Sequence, residues 1–335
     1  MHSEAHIRPH YDAERLISTA KRVCAGLVND STSRYISQRS ITLCGRDICS
    51  RPILQPNHTA SPSFRTALTY TEVPIHIQGT SLTISTIHNL NSNPPILFLH
   101  GFGSSKEDLA DLTVNPSLQH HAYIAYDAPG CGQTHSANPS TSTIPFLVET
   151  AEAILSHFQI PRFHLIGHSM GGLTALLLAS RHPDRVLSFV NIKGNLAPED
   201  CFLSRQIFDF PTEDSEDFLD AFIQRACATK SYGNYLFAST LRSRVRAATV
   251  RPIFESMVRY SDEEDLLGMF LRLPCAKMFM FGVENRGLSY LRRLEGEGVM
   301  LAEIAESGHF PMYSNPVEMY RRIAGFLEGS RTKVH

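Results

Sequence analysis

A mostly parallel, doubly wound α/β sheet carrying an inserted helical segment is the fold class this sequence predicts, and three observations predict it. Short, wholly apolar runs such as Ile96-Leu97-Phe98-Leu99 alternate with helix-length segments through most of the chain, as strands buried between two covering layers of helices require. One strand run, Phe163 to Ile166, passes through Gly167-His168-Ser169-Met170-Gly171-Gly172 straight into a helix-forming run, Leu173 to Ser180. Between Asn195 and Leu273 the alternation stops and helical periodicity replaces it.

The elements follow in order. Residues 13–28 carry apolar positions at Leu16, Ile17, Ala20, Val23, Ala25 and Leu27, a helical pattern. Residues 31–63 are rich in Ser, Arg and Pro and read as loop, so 1–65 is expected to be an N-terminal extension of helix plus loop. From Tyr70 the pattern alternates. Val73, Ile75 and Ile77 lead to Gly79-Thr80, and Leu82, Ile84 and Ile87 follow, which predicts an antiparallel hairpin. Strands are then expected at 96–99, 122–126, 163–166, 186–192, 276–281 and 299–304, with helices at 144–158, after Ser169, and at 316–327. Residues 66–195 and 274–330 thus form the α/β core. Within 196–273, helices are expected at 216–229, 232–246, 253–260 and 264–271. An insertion this long in a tight α/β repeat is usually functional, and it is read as a helical lid over the strand ends.

Composition narrows the function classes. Of 335 residues, 42% are hydrophobic and 19% charged, and the formal net charge is −2. That balance gives no electrostatic case for a nucleic-acid partner. No apolar run reaches the ~20 residues of a transmembrane helix, and the amino terminus lacks an apolar signal-peptide core. The seven cysteines, at 24, 44, 49, 131, 201, 227 and 275, are scattered and form no Cys-x-x-Cys. A reducing, cytoplasmic setting without disulfides or zinc is therefore expected.

The Gly-x-Ser-x-Gly stretch is the chemically loaded one. Between a buried strand and a helix, Ser169 is expected on a tight, strained turn that pushes its hydroxyl into the open. The amide of Met170, in the first turn of the helix, then points at any oxyanion forming beside Ser169. A serine hydroxyl attacks well only when a base takes its proton. His309 sits on a Gly-preceded loop after the last strand, in Ser307-Gly308-His309-Phe310-Pro311, and has a suitable pKa. His168 is expected to point to the side opposite the serine, and His100 to brace a loop. Asp127, in Asp127-Ala128-Pro129-Gly130-Cys131-Gly132, is expected to tie down its turn through backbone amides.

In combination, His100-Gly101-Phe102-Gly103, Asp127 to Gly132, Gly167 to Gly172 and Ser307 to Pro311 resemble the α/β-hydrolase fold superfamily, over about residues 70–328. The resemblance implies Ser169 as nucleophile, His309 as general base, and the amides of Phe102 and Met170 as oxyanion hole. It also implies an acid after the strand that follows the lid, as Asp in a Gly-x-x-Asp context. Here that stretch is Gly282-Val283-Glu284-Asn285, so the position carries Asn285. Glu284, one residue earlier, is the favoured acid, since a carboxylate at Nδ1 would fix the tautomer of His309. Asp200 or Glu199 offers the alternative placement that some family members use.

The expected reaction is acyl transfer to water from an ester, lactone or thioester of a small, apolar substrate, with no cofactor and no metal. Carbon–carbon bond hydrolysis of a β-diketone-like substrate, or ligand reception on the same fold without catalysis, are the alternatives.

Overall fold

A computed structural model describes residues 68–229 and 231–331. The extension 1–65, with its expected helix and the cysteines at 24, 44 and 49, lies outside the described residues. Among the described residues nine strands form one sheet. The hairpin of β1 (Thr69–Ile77) and β2 (Thr80–Asn89) pairs antiparallel as its alternation predicts, with Ile77 opposite Thr80. Next come β3 (Ile96–Leu99), β4 (Tyr123–Tyr126), the two-residue β5 (His135–Ser136), β6 (Phe163–His168), β7 (Val186–Ile192), β8 (Ala276–Gly282) and β9 (Met300–Ile304). Their spatial order is β1-β2-β4-β3-β6-β7-β8-β9, with β5 paired to β2. From β4 to β9 every neighbouring pair is parallel.

Every residue of β3, β4 and β6 is buried, which is why β3 and β4 read as continuous apolar runs. Helices α1 (Ile144–His157) and α2 (Met170–Arg181) pack against each other and on the sheet. α2 is buried along nearly its whole length, so it is apolar all round. Two glycines let it approach the strands. A Cβ on Gly171 would run into the Leu99 and His100 carbonyl oxygens, and one on Gly172 would meet the Cα of Gly194 at 2.6 Å.

The insertion is helical, as its periodicity predicts: α3 (Ser215–Cys227), α4 (Tyr232–Arg244), α5 (Val250–Glu263) and α6 (Leu266–Arg272). The acidic stretch before α3 does what such residues do at a helix start, since Asp214 Oδ1 accepts the Glu216 amide at 2.7 Å. Phe218, Phe222, Phe237 and Phe254 are buried inside the insertion and toward the core. Two short helices, α7 (Leu291–Gly296) and α8 (Pro311–Ser314), precede the closing α9 (Pro316–Arg331). A 3₁₀ segment at Lys106–Val114 and β5 escape the sequence pattern, because both are too short or irregular to show a period. Among the described residues no disulfide forms, and no helix is long and apolar enough to cross a membrane.

Candidate active site

The carboxyl ends of the parallel strands deliver the chemistry-bearing residues to one place. β6 ends at His168, and Ser169 follows with φ 53° and ψ −120°. A positive φ in a residue with a Cβ costs about 1–3 kcal/mol. The Ser169 amide donates to the Ile192 carbonyl at 3.0 Å, and its own carbonyl accepts the amides of Gly172 and Leu173 at 2.8 and 3.1 Å. Those bonds hold the strained turn in place. Its hydroxyl is only partly covered.

Ser169 and His309 line the same cavity. The walls come from three parts of the chain: Phe102 after β3, Phe222, Phe237, Phe254 and Met257 from the insertion, and Phe310 beside the histidine. Phe102 and Phe254 meet edge to face with centroids 4.6 Å apart, so the loop after β3 is seated directly on the insertion. Met170 is the first residue of α2 and its amide has no intrahelical carbonyl to bond. Phe102 thus lines the cavity with Ser169, and Met170 follows Ser169 directly in the chain.

The loop after β3 is braced as expected. His100 Nδ1 donates to the Gly101 carbonyl at 2.7 Å, which leaves Nε2 as the acceptor for the Ala128 amide at 2.9 Å. Asp127 takes the amides of Lys106 and Gln133 on its two oxygens, at 2.9 and 2.8 Å, and pairs with the buried Lys106 ammonium at 2.9 Å. It is a turn-holding carboxylate. Asp108 adds a tie that the sequence did not reveal. It accepts from the Tyr313 hydroxyl at 2.8 Å and the Ser105 amide at 3.2 Å, and pairs with Arg244 at 3.4 Å.

His168 differs from expectation. Its ring does not turn away from the site but lines the cavity, and its Nε2 donates to the His309 carbonyl at 2.9 Å. The strand's alternation ends at the turn, so His168 emerges at the strand's carboxyl end, under the loop that carries His309. Burial lowers its pKa to about 4, although the bond to the His309 carbonyl works in the other direction. The ring therefore stays neutral and clamps that loop.

The Nδ1 of His309 is buried with no hydrogen-bond partner, so Nε2 is the nitrogen left to the cavity. Burial, then the neighbouring His168 and the Lys193 ammonium, hold its pKa well below 6.5. Neither carboxylate singled out in the sequence bonds this ring. Glu284 is exposed on the turn at 283–285, where its amide donates to the Ser307 carbonyl at 3.2 Å. Its carboxylate lies against Gly308, where a Cβ would collide with Oε2. Asp200 also lines the cavity, but its oxygens are taken. Oδ1 receives the Lys193 ammonium at 2.5 Å and the Tyr290 hydroxyl at 3.0 Å, and Oδ2 the amides of Leu196 and Ala197 at 2.9 and 3.0 Å. Glu199 accepts from Ser289 instead, at 2.9 Å. Lys193 and Tyr290 gave no signal in the sequence. A lysine after an apolar strand reads as a solvated end, yet this side chain is 2% exposed.

No cluster of His, Cys, Asp and Glu suited to a metal occurs among the described residues.

Known proteins share both the sequence pattern and the architecture. The chain is 31% identical over 105 residues to "Probable lysophospholipase BODYGUARD 2" of Arabidopsis thaliana, a match covering 30% of this chain and 22% of that protein. It is 28% identical over 120 residues to the pimeloyl-[acyl-carrier protein] methyl ester esterase of Aeromonas hydrophila, covering 36% and 44%. The chain thus spans less than half the length of either curated relative. A structure described in work on carboxylesterases of Nitrososphaera gargenis superposes with a TM-score of 0.63 at 16% identity, covering 78% of this chain and all of that one. Residues 94–261, half of the chain, match the sequence profile of the alpha/beta hydrolase fold. With that match and the parallel sheet that brings Ser169 and His309 to one cavity, the chain belongs to the α/β hydrolase fold family.

Proposed function

We propose that this protein is a serine hydrolase that cleaves an ester, lactone or thioester of a small substrate with an apolar part. One observation carries the reading: the strained Ser169 and the Nε2 edge of His309 share one aromatic cavity. Ser169 Oγ attacks the carbonyl carbon as its proton passes to His309 Nε2, and the Phe102 and Met170 amides take the developing oxyanion. The imidazolium then gives that proton to the leaving group. Water, deprotonated by the same nitrogen, releases the acid and restores Ser169. The names of the two curated relatives, an esterase and a lysophospholipase, support ester cleavage. The helical segment 196–273 acts as the lid, since it supplies most of the cavity's aromatic wall.

Of the two carboxylates, Glu284 is the one free to swing onto the unpaired Nδ1 of His309 and orient it: its carboxylate abuts Gly308, one residue away, whereas the four acceptor sites of Asp200 are filled. Glu284→Gln is expected to lower kcat by about 10²–10⁴-fold and to leave the urea midpoint unchanged, because the side chain is exposed. Wild-type kcat in this variant would remove Glu284 from the mechanism.

The depressed pKa of His309 fixes the sign of the pH dependence. The base works only when neutral, so kcat/KM falls as pH drops through its pKa. That pKa lies well below 6.5. The acid limb of kcat/KM should therefore lie below pH 6.5, and a limb at or above that value contradicts the assignment.

Product analysis tests the reaction class. Aryl and alkyl esters are expected to give acid and alcohol. Cleavage of a β-diketone with no ester turnover would favour the carbon–carbon hydrolase reading, and saturable binding without turnover of either would favour a receptor.

A further inference from the structure

The cavity has two compartments: both border His309, and only one reaches Ser169. The inner one contains Ser169 and Phe102 and is walled by Phe254 and Met257. The outer one is the roomier and is bordered by His309 and Glu284, but by neither Ser169 nor Phe102. Phe202, Leu203, Phe222, Phe237, His309 and Phe310 are common to both, so the compartments adjoin. Their linings also differ in chemistry. Aromatic rings and a thioether dominate the inner one, whereas Gln206, Arg225, Asn234 and Asn285 bring hydrogen-bond donors to the outer one, beside the single carboxylate of Glu284.

Acyl transfer gives these compartments a direction. The carbonyl carbon must sit at Ser169 Oγ and its oxygen at the Phe102 and Met170 amides. The leaving-group atom must face His309 Nε2, because it departs with the proton held there. The acyl chain then lies on the Ser169 and Phe102 side, and the leaving group on the His309 side. From this, and resting on the serine-hydrolase reading above, we propose that the substrates are short, apolar acyl esters of bulky alcohols whose far end carries hydrogen-bond acceptors.

The inner wall sets the acyl limit. Phe254 is fixed by edge-to-face contacts with Phe102 at 4.6 Å and with Phe218 at 5.9 Å, so it does not yield to a longer chain without disturbing the loop after β3. Met257 is the adaptable part of that wall, being unbranched and flexible. On the outer side the Arg225 guanidinium lies 5.8 Å from the Phe218 ring centroid. It is the strongest donor available to a polar leaving group.

Two isomeric esters test the direction with activation, size and atom count nearly matched: naphthylmethyl acetate, with a short acyl group and a bulky alcohol, and methyl naphthylacetate, with the reverse. The full-length enzyme should cleave the acetate with a kcat/KM about tenfold or more above that of its isomer, the scale at which one pocket rejects a misfit. Met257→Ala should raise the ratio of hexanoate to acetate turnover for the naphthylmethyl esters by about tenfold. Equal rates for the two isomers, or preference for the methyl ester, overturns the assignment of compartments while leaving the hydrolase reading intact. An unchanged chain-length ratio in Met257→Ala also overturns it. No turnover of any ester overturns both.

Discussion

Ser169→Ala is expected to lower kcat by a factor on the order of 10⁴–10⁶ with little change in KM, because it removes the attacking atom and leaves the walls of the cavity in place. The fold should persist. Only a partly covered hydroxyl is lost, and the turn is held by backbone bonds from Ser169 to Ile192, Gly172 and Leu173. His309→Ala should fall as far, since the two residues act as one unit, and the double variant should be hardly worse than either single one. Multiplicative losses in the double variant would mean that the two side chains act independently. Such a result would contradict the mechanism.

Asp200→Asn should give the largest loss of stability among single changes near the site. Lys193 and Asp200 are 2% and 1% exposed, so the substitution leaves a buried ammonium without its counter-charge. Breaking one side of a buried pair costs about 3–5 kcal/mol, read as a fall in the urea midpoint. Replacing both residues, as Lys193→Met with Asp200→Leu, should recover part of that loss, because no charge then stays buried unpaired. The electrostatic consequence reaches the base. The Lys193 ammonium already disfavours the imidazolium form of His309. With Asp200 neutral, the acid limb of the remaining activity should move to still lower pH. A stable Asp200→Asn protein with no kcat would instead make Asp200 the orienting acid.

The strands and the turn at Ser169 were legible because their physics is local. Ile96 to Leu99 must be apolar on both faces, and Gly171 must lack a Cβ to let α2 reach the Leu99 and His100 carbonyls. The helices of the insertion showed their period for the same reason. Contacts between distant segments were not legible. The bond of His168 to the His309 carbonyl joins residues 141 apart, and that of Tyr290 to Asp200 joins residues 90 apart. Nothing in the neighbourhood of Lys193 marks it as buried, since its partner is chosen by the path of the chain from Gly194 to Asp200. The acid is the instructive case. The motif position is filled by Asn285, and the choice between Glu284 and Asp200 turns on which carboxylate has acceptor sites left, a property only the folded chain has.

The central claim is that Ser169 is activated by His309 within one cavity. Intact-mass spectrometry after brief exposure to a fluorophosphonate tests it most directly. One adduct per chain, mapped by peptide analysis to Ser169 and formed at least about 10³-fold more slowly in His309→Ala, is the predicted result. An adduct on another serine, or labelling of Ser169 at the same rate in both proteins, would contradict it.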